Sequence, residues 1–538
     1  MMVNLIWNIL CTRCMRVIAN QKRHYVSEAK NIRVLHEQKW LPVIGLEVHA
    51  QINSRTKLFS SALNKFMAPP NSLVSEFDAS MPGTLPVLNK ECVRAAVLTS
   101  LALNCKINPR STFDRKHYFY ADMPHGYQIT QHWNPIAVDG KVTFPTLQGQ
   151  KSLRIERVQL EQDSGKSLHD YEDNVSLIDL NRAGVGLMEI VTFGLSNADD
   201  ACAFVNELHL MLVTLGTCEG KMSEGQLRVD VNISLHKPGE PLGTRAEVKN
   251  INGMRILHQV IEHEILRQSD LLDHGFAVEQ ETRGYDDVNR TTYSMRDKEM
   301  KTDYRFMPEP NLPPLQLYDD LTIHNTCGDG INIDDIRREI PLLPAQLRKI
   351  LDEKYKLDEQ EIKFLLDREM VNYFIQVSEL LPNTPPIEVY HWLKIKVVAL
   401  LADNGLMMSQ WPFNAKDFAD LMSLKENNEI NDSIAFEALT VAVKDKATTP
   451  VQVIENMGWK MISDITMISS LCDDVIIAME TENPEVFEKY NVNNAKSNKK
   501  IVAKVVGKVF KASQGKMHTA IIKKTVQDLL NEKYNTNV

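Results

Sequence analysis

Residues 153–191 read LRIERVQLEQDSGKSLHDYEDNVSLIDLNRAGVGLMEIV, a run that sets carboxylates, glycines and a few basic residues between apolar, strand-like segments. That composition suits a site holding a metal ion and phosphate oxygens. Three further stretches belong with it: PVIGLEVHAQI (42–52), QLRVDVNISL (226–235) and TRAEVKNI (244–251). Each alternates apolar and polar residues, the period of a strand with one buried face. In the first, Ile44, Leu46, Val48, Ala50 and Ile52 share a face, which leaves Glu47 and His49 side by side on the other. Taken alone, that strand reads at least as well as an edge strand with a solvated face.

The other strands repeat the pattern. Leu227, Val229, Val231, Ile233 and Leu235 oppose Arg228, Asp230, Asn232 and Ser234, and after HKPGEPLG, which reads as a hairpin connection, Arg245, Glu247 and Lys249 share a face. Gln159, Glu161 and Asp163 do the same in the central stretch, and a strand over 176–180 puts Asp179 near Arg182 and the loop Gly184-Val185-Gly186. Paired in one sheet, these strands form a saddle that gathers Glu47, His49, Glu161, Asp163, Asp230 and Glu247 with Arg228, Arg245 and Lys249. Like charges so concentrated are costly without a cation. An oxygen-rich site of this kind suits Mg2+ shared with substrate phosphates, and so proposes ATP-dependent chemistry.

No Walker-type site accompanies it. Gly165-Lys166-Ser167 lacks the upstream glycine, since Leu160 stands there, and Gly220-Lys221 has Leu215 in that place and Met222 after the lysine.

The chain has 538 residues, 43% hydrophobic and 24% charged, so two to four soluble domains are expected. No apolar run approaches the roughly 18 residues that span a membrane. With a net charge of −9, nucleic acid must be met by a local basic surface. The eight cysteines are too widely spaced for a disulfide framework or a zinc knuckle, except Cys11 and Cys14. Those two fall in residues 1–30, where Arg13, Arg16, Lys22 and Arg23 all precede the first acid, Glu28, the balance of a mitochondrial transit peptide.

Helices are expected from about residue 91 with Val93, Ala96, Val97 and Leu101 inward, from an Asn197 cap to Gly216, and from about Asn252 to His274. In DRKHYFYADMPHGYQITQ (114–131), aromatic rings interleave with Arg115, Lys116 and His117, which suits either stacking on a base beside phosphate or an aromatic core with a basic rim. The mixed-charge run from Glu281 to Pro314 reads as solvated surface closed by prolines, or, through its arginines beside the saddle, as a phosphate contact. From about Ile331 the pattern turns helical, and residues 496–525 carry many lysines and no acid, which favours a nucleic-acid-facing tail.

VIGLEVHAQI, YQITQ, LEQDSGKSLH, LIDLNRAGVGLMEIV, SEGQLRVDVNISL, RAEVKNING, QETR, MRDKE and DYRFMPEPNLPP, in this order, closely resemble the GatB family. These are the B subunits of glutamyl-tRNA(Gln) amidotransferases, and the mitochondrial branch is the most similar. The resemblance covers residues 40–538. It implies an α+β fold: a cradle domain (38–325) with a mainly antiparallel sheet, a helical domain (331–448) and a helical YqeY-like tail (452–538) that contacts tRNA. It also implies a heterotrimer in the mitochondrial matrix. In it the A subunit hydrolyses glutamine, the C subunit completes the complex, and the B subunit activates Glu-tRNA(Gln) with ATP and Mg2+. The activity implied is that of a carbon–nitrogen ligase with glutamine as amido donor.

Carried over by position, Glu47 and His49 match the family's metal-binding strand and Glu247 another acidic position of that site; with Glu161 and Asp230 of the saddle they are the expected catalytic group. Lys166, Arg182, Arg228, Arg245 and Lys249 are the expected nucleotide contacts. Glu47, His49, Gln162 and Glu247 are the expected Mg2+ ligands. Gln162 stands where the family commonly has a second glutamate, and a regular strand turns it away from Glu161, so its role as a ligand requires a bulge or a strand end. Gly186 replaces a proline common among relatives. No cysteine cluster lies between Asn53 and Glu91, so zinc is not expected. A binding class stands as the second hypothesis, with the chain presenting tRNA and the saddle structural.

Overall fold

The burial of alternate side chains sets the register of the central sheet. In the strand Leu41–Gln51 (β1), Ile44, Leu46, Val48 and Ala50 are fully buried, and the residues between them are only partly covered. Burying each aliphatic side chain is worth roughly 1.5–3 kcal/mol. A one-residue slip would turn all of them to the polar face.

The computed structural model describes residues 39–170, 172–295, 304–323, 330–445, 447–461, 464–487, 490, 495–513 and 516–534. The transit-peptide reading, including Cys11 and Cys14, lies outside them. After β1 come β2 (Lys106–Ile107), β3 (Arg110–Ser111), β4 (Asp114–His117), β5 (Tyr127–Thr130), β6 (Ala137–Thr146) and β7 (Gly149–Gln162). They are followed by β8 (Lys166–Asp170), β9 (Val175–Asp179), β10 (Gly186–Thr192), β11 (Leu227–His236), β12 (Ala246–Ile251), β13 (Thr282–Asp286) and β14 (Thr291–Ser294). Nine of these strands form one sheet in the order β14-β13-β12-β11-β1-β10-β7-β6-β2, antiparallel throughout except for β12 beside β13.

One face of the sheet is roofed by helices Lys90–Ala102, Ala198–Leu215 and Met254–Asp273, whose Val97, Phe204, Leu208, Leu257 and Ile261 join the strand residues in a single core. The second helix begins as its sequence predicts. The Asn197 side chain accepts from the Asp200 N–H, and Gly216 ends the helix in the left-handed region at φ 69°. The other face of the sheet carries the polar residues.

The strand expected over 176–180 is present as β9, paired with β8 in a ribbon separate from the main sheet. One expectation is corrected here. The charged run after Glu281 is not all solvated surface, because β13 and β14 extend the sheet and Arg283 is buried there. The reason is a buried carboxylate. Glu264, on the helix Met254–Asp273, is fully buried and accepts from Arg267 at 2.8 Å, with Arg283 Nε at 3.1 Å and the Thr292 hydroxyl as a further donor.

The first unit runs to Gln346 and takes Ile333 and Ile336 into its core. The second, from Leu347, is helical over its described residues. At its C-terminal end the helices Ile465–Glu482, Ala495–Ala512 and Thr519–Tyr534 pack around Cys472, Ile476, Val505, Val509, Ile522 and Val526. The opposite faces of the last two leave Lys499, Lys500, Lys504, Lys511, Lys523 and Lys524 exposed. No helix among the described residues is long and apolar enough to cross a membrane.

Candidate active site

On the uncovered face of the sheet, pairing alone brings the acidic residues together. Glu47 stands opposite Asp230 on β11, His49 opposite Glu189 on β10 and Arg228 on β11, and Asn232 opposite Glu247 on β12. On β7, Gln159 faces Glu189, and Glu161 lies two residues further along the same face.

Two poles result. At the first, one ligand atom each from His49, Glu161 and Glu189 lie within 4.8 Å of one another, with His49 Nε2 4.0 Å from Glu161 Oε1. Glu161 Oε1 also accepts from Gln128 Nε2 at 2.6 Å, but its Oε2 is buried without a hydrogen-bond partner. Burial, and then the neighbouring charge of Glu161, pushes the Glu189 carboxyl up to about 7. Burial alone would lower the half-buried Lys116, yet the charges of Glu161 and Glu189 hold it well above the ordinary lysine value.

At the second pole, Glu47 Oε1 accepts from Asn232 Nδ2 at 2.9 Å. Glu247 Oε2 lies 3.3 Å from the Thr282 hydroxyl, which donates to it, and 3.9 Å from Lys249 Nζ. Burial raises Glu247, with Glu47 and Asp230 adding to the rise against Lys249. Asp230 shapes the backbone here. The β11–β12 register shifts between Val229 and Val231, Asn250 takes a left-handed φ of 60°, and its N–H donates to Asp230 Oδ1 at 2.8 Å.

A divalent cation fits the first pole. An orphaned buried carboxylate oxygen beside a second buried carboxylate is the arrangement a cation relieves. Both carboxylates are hard oxygen donors of the kind Mg2+ takes, and the imidazole adds a nitrogen. Of the four ligands expected from the sequence, only His49 belongs to this group. Glu47 and Glu247 lie at the other pole. Gln162 pairs with Gly186 in unbroken register beside the Glu161–Leu187 pair, which sets it on the opposite parity from Glu161 with no bulge between them, and it is the last residue of β7, the strand end its ligand role requires.

Among the expected nucleotide contacts, Lys249 is at the second pole and Arg245 is exposed just before β12. Arg228 and Arg182 converge on Asp163, at 2.9 and 3.6 Å, and Arg182 also donates to the carbonyls of Ser164 and Gly165. They brace the loop after β7. Lys166 is exposed on the separate ribbon opposite Asp179, off the main sheet face.

Glu189 and Gln128 were not among the expected site residues, and Lys116 was singled out only as one cation of the aromatic segment 114–131. A signal for Glu189 existed: one acid inside the otherwise apolar strand GLMEIVT, on the parity of His49.

Residues 42–322 match the family model described as the GatB/GatE catalytic domain, and residues 372–530 match the one described as the GatB domain. The chain belongs to the GatB family. It is 44% identical over 524 residues to the B subunit of human mitochondrial glutamyl-tRNA(Gln) amidotransferase, covering 95% of this chain and 92% of that one. The zebrafish (Danio rerio) protein of the same name is also 44% identical, over 91% of this chain and 89% of its own. The B subunit of the aspartyl/glutamyl-tRNA(Asn/Gln) amidotransferase of Rickettsia felis is 40% identical over 91% of this chain and 98% of its own. The catalytic-domain match coincides with the nine-stranded sheet and its acidic face.

Proposed function

We propose that this chain is the B subunit of a mitochondrial glutamyl-tRNA(Gln) amidotransferase and activates the glutamyl group of Glu-tRNA(Gln) for amidation. The observation that carries the reading is the acidic sheet face, with His49, Glu161 and Glu189 at one pole and Glu47, Asp230 and Glu247 at the other, in a family-matched catalytic domain. The A and C subunits of that enzyme are the partners, with import into the matrix by residues 1–30.

A γ-carboxylate resists attack by ammonia. It first takes the terminal phosphoryl group of ATP, giving ADP and an acyl phosphate. Ammonia released from glutamine by the A subunit then attacks the acyl carbon, and phosphate leaves. His49, Glu161 and Glu189 would hold Mg2+, which when bound supplies positive charge for the phosphate oxygens. Lys116 keeps its proton beside Glu161 and Glu189 and offers a fixed cation to a phosphoryl oxygen. Gln128 orients Glu161, and Asn232 and Thr282 orient Glu47 and Glu247. Positioning and charge stabilisation are the contributions of the chain.

Reconstitution with the A and C subunits, assayed with mischarged tRNA, ATP and glutamine, tests this. Glu47→Ala or Glu247→Ala is expected to abolish amidation while Glu-tRNA binding persists. Unchanged turnover in both would leave a tRNA-presenting role.

A further inference from the structure

Three segments, two flanking β5 of the β4–β5 pair and the third far along the chain, place aromatic rings in one row beside the acidic face. Tyr120 and Tyr118 have centroids 5.6 Å apart, Tyr118 and Tyr304 6.3 Å, and Tyr304 and Phe306 6.1 Å. Phe306 lies parallel to His132 at 3.8 Å and 7°, and His132 meets Trp133 edge-on at 4.6 Å. The pairing of β4 with β5 and with Met307–Pro308 brings these segments together.

Both ends of the row are open. Trp133 is 64% and Tyr120 45% exposed, with Phe119 beyond it at 86%. A single exposed ring is ordinary, but here four half-buried rings packed on one another join two exposed ends, and such a continuous aromatic row at the rim of a polar site is a surface an aromatic ligand can extend. Its middle touches the site. Tyr118 Oη donates to Gln128 Oε1 at 3.2 Å, Gln128 donates to Glu161, and Lys116 Nζ lies 5.1 Å from the Tyr304 ring centre.

We infer that this row is a stacking track for the unpaired 3′ nucleotides of the aminoacyl-tRNA, leading the terminal ester to Glu161 and Glu189. Unpaired bases offer π faces that a duplex keeps stacked internally, and successive bases on aromatic side chains beside a cation are how single strands are held. The acyl group is attached to that 3′ end, so its last nucleotides must pass the rim of whatever site modifies it. The inference rests on the function proposed above.

The test uses the reconstituted heterotrimer carrying Trp133→Ala or Trp133→Phe, with tRNA either intact or stripped of its unpaired 3′ nucleotides. In the unaltered complex, stripping weakens binding. Trp133→Ala is expected to weaken binding of intact tRNA about tenfold, the loss of one base stack. It leaves binding of stripped tRNA and the KM for ATP as they were, and Trp133→Phe restores most of the loss. A Trp133→Ala complex that still distinguishes intact from stripped tRNA by the full factor overturns the track, as does a rise in the KM for ATP alone. A complex that binds tRNA end-dependently but never amidates it removes the proposed function and leaves the track. One that binds no tRNA removes both.

Discussion

His49 on β1 and Glu189 on β10 face each other across the central antiparallel strand pair. Backbone pairing aims both side chains at the same point, with Glu161 arriving from the next strand over. Three strands thus bring one potential ligand atom each within 4.8 Å of the others, at the expense of burying two carboxylates together.

Glu189→Gln is expected to separate stability from function. Without a bound cation the second buried carboxylate opposes folding, so the amide should raise the Tm of the metal-free protein or leave it unchanged. Amidation should fall by at least about 100-fold, beyond what loss of a group that merely supports a ligand costs. A variant with lower Tm and normal turnover would make Glu189 structural.

Cation binding at this pole should release a proton. Burial and Glu161 raise the Glu189 carboxyl to about 7, and a ligand must be deprotonated, so Mg2+ affinity is expected to climb as pH rises through that value and to fade below it. Titration calorimetry in buffers of different ionisation enthalpy reads the proton count directly. Affinity flat from pH 6 to 8 would contradict it.

Thr282 reaches Glu247 because β13 pairs beside β12 in the register that sets the two residues side by side. Thr282→Val should lower kcat/KM about tenfold, the scale of one hydrogen bond to a charged group. Thr282→Ser should retain most of the activity. Equal loss in both variants would point to the methyl group and packing instead.

Glu264 ties β13 and the edge strand β14 to the helix behind them. Burial favours its neutral form, but hydrogen bonds from Arg267 and Thr292 and the charges of Arg267 and Arg283 outweigh burial and hold it below the ordinary glutamate value. Its contribution to stability is therefore complete above the unfolded-state pKa and is lost as pH falls through the lower folded value. Glu264→Gln should flatten the acid limb of the stability curve and cost about 3–5 kcal/mol near neutral pH, as when one partner of a buried pair is removed. Chemical denaturation between pH 3 and 7 measures both.

Removal of the residues after Asn494 should weaken tRNA binding and flatten its salt dependence, since the exposed lysines of the last two helices go with them. Identical log K against log salt slopes with and without this segment would exclude it as a phosphate-contacting surface.

Period-two alternation was enough to determine β1, β11 and β12, the faces of Glu47, His49, Asp230 and Glu247, and the parity that turns Gln162 away from Glu161, because side-chain direction along a strand is local. Capping chemistry likewise determined the helix from Asn197 to Gly216. Only the tertiary structure decided which strands are neighbours. Sheet order put Glu189 beside His49, sent the Lys166 ribbon elsewhere, folded Arg228 and Arg182 onto Asp163, and drew a charged segment into the sheet through the buried Glu264. Those outcomes depend on contacts between residues tens to hundreds of positions apart, which no local period encodes.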